Sequence, residues 1–385
     1  VSFLGIQQIR DDMMYLAGQL AHRSAQTQDE RAAADFIARR MREYADEVTQ
    51  ERFFAIENYP YLFASYYSEF LVVGILSIWW PLVAFLYGIV VFITYLAEFM
   101  GFQVFSRFFP KFESQNVCAH FSAPKTDKVI LVTAHYDSGC ASPLTLPHVV
   151  PWLRFLHLMV LGAMVILSAT CLVEGLYPAS ATAWLIQLRW LCVLFLGSCS
   201  LGLFYAAARG EDIRGANSNA SGVSALLQLA ACFQREPLQN STVQLIATGS
   251  HEVWMSGIRH YLANHPPDKK KTYILNLESV GAGRLHYLQG EGMLHYTSGN
   301  KTLINIAERL SPEFGATAAR LRALPTEAHV PLLHGYKVMT LMGLDDQGLP
   351  PNWNQVTDRV AEVDETAIEH AANFAEKLLR TLDKE

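Results

Sequence analysis

Apolar positions recur along this chain in two ways, and the contrast between them divides it. In the first, they alternate with polar residues at regular periods. From Thr27 to Tyr44 the residues Ala33, Phe36, Ile37, Met41 and Tyr44 fall on one helical face, with Thr27 placed as cap and Glu30 three residues on. Short apolar runs at Val48 to Ala55, Asn116 to Phe121, Val129 to Ala134, Thr242 to Thr248, Thr272 to Leu277 and Val338 to Met342 read as strands. Further helical periods cover Ser221 to Phe233, Val253 to Asn264, Thr302 to Leu310 and Glu365 to Leu382. Strands interleaved with helices in this manner predict an α/β fold with a mixed central sheet and helices on both faces. The opening stretch, Val1 to Gln19, is amphipathic and carries Arg10, Asp11 and Asp12. It has no uninterrupted apolar run, so no signal peptide is expected there.

In the second pattern the apolar character is continuous. It extends from Tyr59 to Phe105, broken by charge only at Glu69 and Glu98. As a helix, the uncharged part between those glutamates would measure roughly 40 Å, more than the ~30 Å hydrocarbon core of a bilayer. Trp79-Trp80-Pro81 sits at its middle, which predicts a hairpin with tryptophans at the tip. A second block covers Trp152 to Val173 and Trp190 to Ala208, split by Glu174-Gly175-Leu176-Tyr177-Pro178, and reads as another hairpin. Core helices of a soluble protein seldom sustain the ~18 apolar residues that mark a span.

The expected organisation is a discontinuous α/β domain (1–58, 106–142 and 210–385) with two inserted transmembrane hairpins (59–105 and 143–209). Each insertion leaves the domain and returns, so four spans are expected. Arg107, Lys111, Arg154, Arg209 and Arg214 lie on the domain side, against Glu174 and Arg189 at the tips. By the positive-inside rule this predicts a domain facing the cytoplasm, in a membrane like the bacterial inner membrane. A channel or transporter is disfavoured, because Glu69, Glu98, Arg154 and Arg189 all fall near predicted span ends.

Composition agrees with lipid contact: 51% of the 385 residues are apolar and only 17% charged, against ~25% charged in ordinary soluble domains. The net charge of −6 and the scattered basic residues exclude a nucleic-acid partner. Six cysteines without paired spacing read as reduced, buried thiols.

Chemistry concentrates at strand ends, where open α/β sheets bind ligands. The Val129 strand runs into His135-Tyr136-Asp137. Gly215-Ala216-Asn217-Ser218-Asn219-Ala220-Ser221-Gly222 opens a helix, and His251-Glu252 and Glu278 each follow a strand. Asn352-Trp353-Asn354 precedes Asp358. Taken in order, these five motifs resemble those of the zinc aminopeptidases of metallopeptidase family 28, which includes bacterial aminopeptidases, glutaminyl cyclases and glutamate carboxypeptidases.

The resemblance implies that His135 and Glu278 ligate one metal, that Asp137 orients the His135 ring, and that Glu252 serves a second metal. Three positions depart from the family pattern. Ser218 stands where an aspartate bridges two zinc ions, His251 where a glutamate acts as general base, and Asn354 where a histidine ligates the second metal; Trp254 replaces a small residue. A neutral hydroxyl cannot supply the bridging charge and an amide is a poor zinc donor, so at most one zinc is expected, held by His135, Glu252 and Glu278. His251 remains a competent base; used instead as a ligand, it would be lost to that role. Ser218 with His251 as base is an alternative nucleophilic arrangement. Asn354, Trp254 and Glu327, the last on a loop where family members place a substrate-binding acidic segment, are expected to contact substrate. His295, His329 and His334 read as ordinary polar residues.

The expected activity is cleavage or aminoacyl or acyl transfer at an amide bond. Because the second hairpin interrupts the chain between two site motifs, the expected substrate has an apolar or lipid-linked part, such as a peptide or acylated amine. The alternative is a pseudopeptidase scaffold for a protein partner or a lipid-linked peptide.

Overall fold

The computed structural model describes residues 3–178, 182–323 and 325–385, and the chain resolves into two compact units. One comprises Val1–Glu57, Lys111–Ala141 and Glu211–Glu385; the other comprises Asn58–Pro110 and Ser142–Gly210.

The first unit is built on a nine-stranded mixed sheet. Its strands are β1 (Glu47–Ile56), β2 (Lys111–Phe121), β3 (Lys128–His135), β6 (Ser241–Thr248), β7 (Thr272–Glu278), β8 (Arg284–Glu291), β9 (Thr297–Ser298), β10 (Thr317–Leu321) and β11 (Lys337–Leu344). They lie in the order β1-β2-β6-β3-β7-β11-β8-β10, with β9 beside β8. The four central strands β6, β3, β7 and β11 are mutually parallel, so their carboxyl ends share one edge. A two-residue ribbon pairs β4 (Cys140–Ala141) with β5 (Glu211–Asp212).

Side-chain alternation along β3 shows why helices must cover both faces. Ile130, Val132 and Ala134 point into the larger core with α1 (Phe3–Met13), α2 (Gln28–Arg42), α7 (Ser221–Arg235), α9 (Lys301–Phe314) and α11 (Glu365–Lys384). Leu131 points the other way, to a core with α8 (Ser256–Asn264) and α10 (His329–Leu333). Strands buried on both sides are near-continuously apolar, as parallel strands must be. Thr27 caps α2 as expected, accepting from the Glu30 amide. The Glu30 carboxylate does not reach back to the cap; it accepts instead from the amides of Gln26 and Ser250 and from the Ser114 hydroxyl.

The second unit contains α3 (Tyr59–Leu76), α4 (Pro81–Phe99), α5 (Leu153–Leu176) and α6 (Ala183–Arg209). Pro81 occupies the first turn of α4, where its missing amide costs nothing, and Trp79 and Trp80 in the preceding turn are exposed. Three of the helical segments, Pro81–Phe99, Val150–Leu176 and Ala183–Arg209, are long and apolar enough to cross a membrane by length and composition. The sequence pattern predicted four. The fourth, α3, has 18 residues but carries four tyrosines, two serines and Glu69, which lower its apolarity.

This unit is inverted relative to a soluble bundle. Leu86, Leu191, Leu194 and Leu201 are exposed, whereas polar groups face inward. Arg189 is buried, donating to the Ser77 hydroxyl, to Thr170 and to Glu174. The buried Glu98 accepts from the amides of Val104, Phe105 and Ser106. An apolar outside with charged groups turned inward onto hydrogen-bond donors and acceptors is what a hydrocarbon solvent selects, although Glu98 Oε1 and the Ser106 hydroxyl have no partner.

Candidate metal centre

Each central strand delivers its site residue at its carboxyl end. His135 terminates β3, Glu278 terminates β7, and His251 and Glu252 follow β6. The Asp137 carboxylate accepts from the backbone amides of both His251 and Glu252 at 2.9 Å, tying the loop after β3 to the loop after β6. His135 Nδ1 lies 3.1 Å from the Asp137 carbonyl and 3.5 Å from its carboxylate. Its proton therefore faces Asp137, and Nε2 is left to face the site. The His251 ring stacks on that of His135 with centroids 4.0 Å apart.

Possible ligand atoms of His135, His251 and Glu278 all lie within 4.8 Å of one another. Asn276 donates to Glu278 at 3.1 Å, and Thr133 in turn donates to Asn276. Among the described residues the convergent set thus contains His251 where Glu252 was expected. Glu252 instead accepts from Asn354 Nδ2 at 3.2 Å and lines a cleft of about 190 Å³. Trp254, Met255, Met342, Leu349, Pro350 and Trp353 supply apolar walls to that cleft, so Trp254 and Asn354 sit where substrate contact was expected of them.

Two further expectations are corrected. The Ser218 hydroxyl donates to Asp358 at 2.7 Å and accepts from Asn219. Its proton is directed away from His251, and no serine–histidine pair forms. Asp358 also accepts from the amides of Asn217 and Ser218, so it anchors the segment that opens α7. Glu327 is completely buried and does not line the cleft; its carboxylate accepts from Thr248 and lies 4.0 Å from His251 Nδ1.

Electrostatically the site has an excess of buried acid. Burial raises the carboxyl of Glu252 to about 7 and those of Glu327, Glu291 and Glu30 to about 8, and raises those of Glu278 and Asp358 as well. Burial opposes charge on His135, but Asp137, Glu278 and Glu252 overcome it and lift the imidazole to about 9. His251 is driven the other way, first by burial and then by His135, and stays neutral, the form that binds metals. A buried guanidinium of the same unit, Arg23, reaches the Tyr136, Arg214 and Gly215 carbonyls and Asn219. No spacing signal in the sequence singles out Arg23 or Glu291, and the capping spacing that marks Glu30 does not place it among the buried acids.

The residues fit zinc. Two imidazoles and a carboxylate are zinc donors, and an open fourth position marks catalytic sites. Asn354 Oδ1 is buried without a hydrogen-bond partner, and an orphaned buried polar atom calls for a ligand or ion. Among the described residues, non-glycine residues with positive φ include Ser250, Trp254, Met255, Ser279, Asn352 and Asn354. All border this site, and strained backbone of that kind gathers at functional loops.

The sequence model of Peptidase family M28 matches residues 200–379, and no curated protein matches the chain. Solved structures share its fold. A leucine aminopeptidase precursor from Bacteroides thetaiotaomicron is 13% identical with a TM-score of 0.55, covering 98% of this chain and 95% of that one. A glutaminyl cyclase from the same organism, bound to N-acetylhistamine, gives 13%, 0.55, 98% and 96%. A zinc aminopeptidase from Bacillus subtilis gives 14%, 0.56, 98% and 95%. The carboxy-terminal half of this chain is therefore similar to peptidase family M28, and its fold is that of zinc aminopeptidases and glutaminyl cyclases.

Proposed function

We propose that this chain is a membrane-inserted, single-zinc enzyme acting on an amide bond, by hydrolysis or by aminoacyl or acyl transfer, on a substrate with an apolar part. The observation that carries this reading is the convergence of His135, His251 and Glu278 beside an apolar cleft. Zinc in such a site supplies Lewis acidity, polarising a carbonyl and making water a better nucleophile near neutral pH. The chain's own residues do the rest. Asp137 fixes the tautomer of His135 and the backbone of the 251–252 loop. Trp254, Met342 and Trp353 exclude water from the apolar part of a substrate. Glu252, at the cleft wall, is placed to accept or hold a proton, so the roles of the 251–252 pair are exchanged relative to the family pattern.

Membrane insertion rests on the three apolar helices and on the exposed leucines of the second unit; the basic flanks support a cytoplasmic site. The substrate is then a peptide or acylated amine presented at the membrane surface. The aminopeptidase and glutaminyl cyclase neighbours make a free amino-terminal residue the first chemistry to assay.

Metal analysis of the detergent-purified chain tests the reading. One zinc per chain is expected, falling to near none in His135→Ala, with at least ~10²-fold loss of turnover on aminoacyl and acylated-amine amides. A zinc-free chain whose function survives His135→Ala defeats it. That outcome favours the scaffold alternative, which draws support from the Ser218–Asp358 and Asn354–Glu252 hydrogen bonds, because they occupy groups a second metal would use.

A further inference from the structure

Glu327 was expected to meet substrate, yet it is buried behind the site, and its contacts there are specific. Its side chain is pinned at one oxygen by the Thr248 hydroxyl. The other oxygen, Oε1, has no hydrogen-bond partner and faces His251 Nδ1, likewise without one, across 4.0 Å. Two orphaned polar atoms in one dry pocket, one able to donate and one to accept, are a hydrogen bond lacking only a small closing movement.

We infer that Glu327 is a positioning residue that holds a metal-facing side chain, His251, through its carboxylate. The inference rests on the single-zinc reading. With Glu327 taking the Nδ1 proton, His251 presents Nε2 to the site in the same tautomer that Asp137 imposes on His135. The two stacked rings are then buttressed from opposite sides by separate carboxylates, and outer-shell partners of this kind tune a ligand's basicity and orientation. The arrangement also gives a fully buried glutamate a role: Thr248 holds one oxygen and the other faces the His251 ring.

Zinc affinity of the full-length chain in detergent, measured by chelator competition with Zn²⁺ alone, tests the inference. Glu327→Gln preserves volume and the Thr248 contact, and is expected to weaken zinc binding about 10–100-fold while the thermal melt of the metal-free protein stays cooperative. The visible bands of the Co²⁺-loaded chain are expected to shift, which loss of mere packing would not cause. Should the glutamine variant fail to fold, Thr248→Val leaves the glutamate in place but unpins it, and a smaller loss of affinity with the same cobalt shift is expected. Affinity and cobalt spectrum unchanged from wild type, in whichever variant folds, overturn the role of Glu327 while leaving the zinc reading intact. A wild-type chain that binds no zinc overturns both.

Discussion

Buried carboxylates dominate the behaviour of single residues here, and their sign is unusual. Glu291 accepts from the Thr326 amide and hydroxyl, yet burial, with help from Glu278, lifts its carboxyl to about 8, against ~4.3 for an unfolded glutamate. Between those values the folded protein holds a proton that the unfolded chain releases. Stability therefore falls as pH rises through that window, by up to roughly 1 kcal/mol per pH unit for each such group, and levels off above it. The apparent Tm of the metal-free protein is expected to drop from pH 5 to pH 8. Glu291→Gln, whose amide can keep both Thr326 contacts, is expected to flatten that slope; an unchanged slope would show that Glu291 does not titrate in the window. Much of this residue-level chemistry was legible beforehand, since His135, Asp137 and Glu278 sit in ordered motifs at strand ends. Which member of the His251-Glu252 pair turns inward was not. That choice is made by the left-handed backbone of Ser250 just before it, and motif spacing does not reveal such a turn.

Among elements, the central parallel strands were legible because burial on both faces writes them as continuous apolar runs. β8 and β10 were missed: RLHYLQGE and TAARL carry charged and small polar residues on the outer flank of the sheet, where packing relaxes the pattern. Helix α8 begins at Ser256 rather than Val253, because Trp254 and Met255 adopt positive φ and cannot continue a right-handed helix. An exacting contact between elements lies where α7 crosses β7. A Cβ at Gly222 would stand 2.5 Å from the Leu277 carbonyl oxygen, and backbone cannot rotate aside as a side chain can. Gly222→Ala is expected to destabilise the first unit by about 1–3 kcal/mol and to weaken zinc binding, because Leu277 adjoins Glu278. A melting temperature equal to wild type would show that α7 shifts freely.

For the molecule as a whole, the testable matter is which side of a membrane each part occupies. A fluorescent protein joined after Glu385 is expected to report the cytoplasm, and a phosphatase inserted between Tyr177 and Pro178 the opposite side. Exchanged signals would reverse the orientation, and matching signals would deny that α5 and α6 span.

Both inserted segments depart and return through adjoining backbone. Ile56 pairs with Lys111, and Ala141 pairs with Glu211. Each graft point is already closed by its own ladder, so the central sheet is indifferent to how much chain lies between. The entropic charge for lengthening a closed loop rises by only ~0.6 kcal/mol per doubling. Lineages of this architecture can thus acquire or shed the apolar helices by modular exchange, without shifting a single strand of the central sheet.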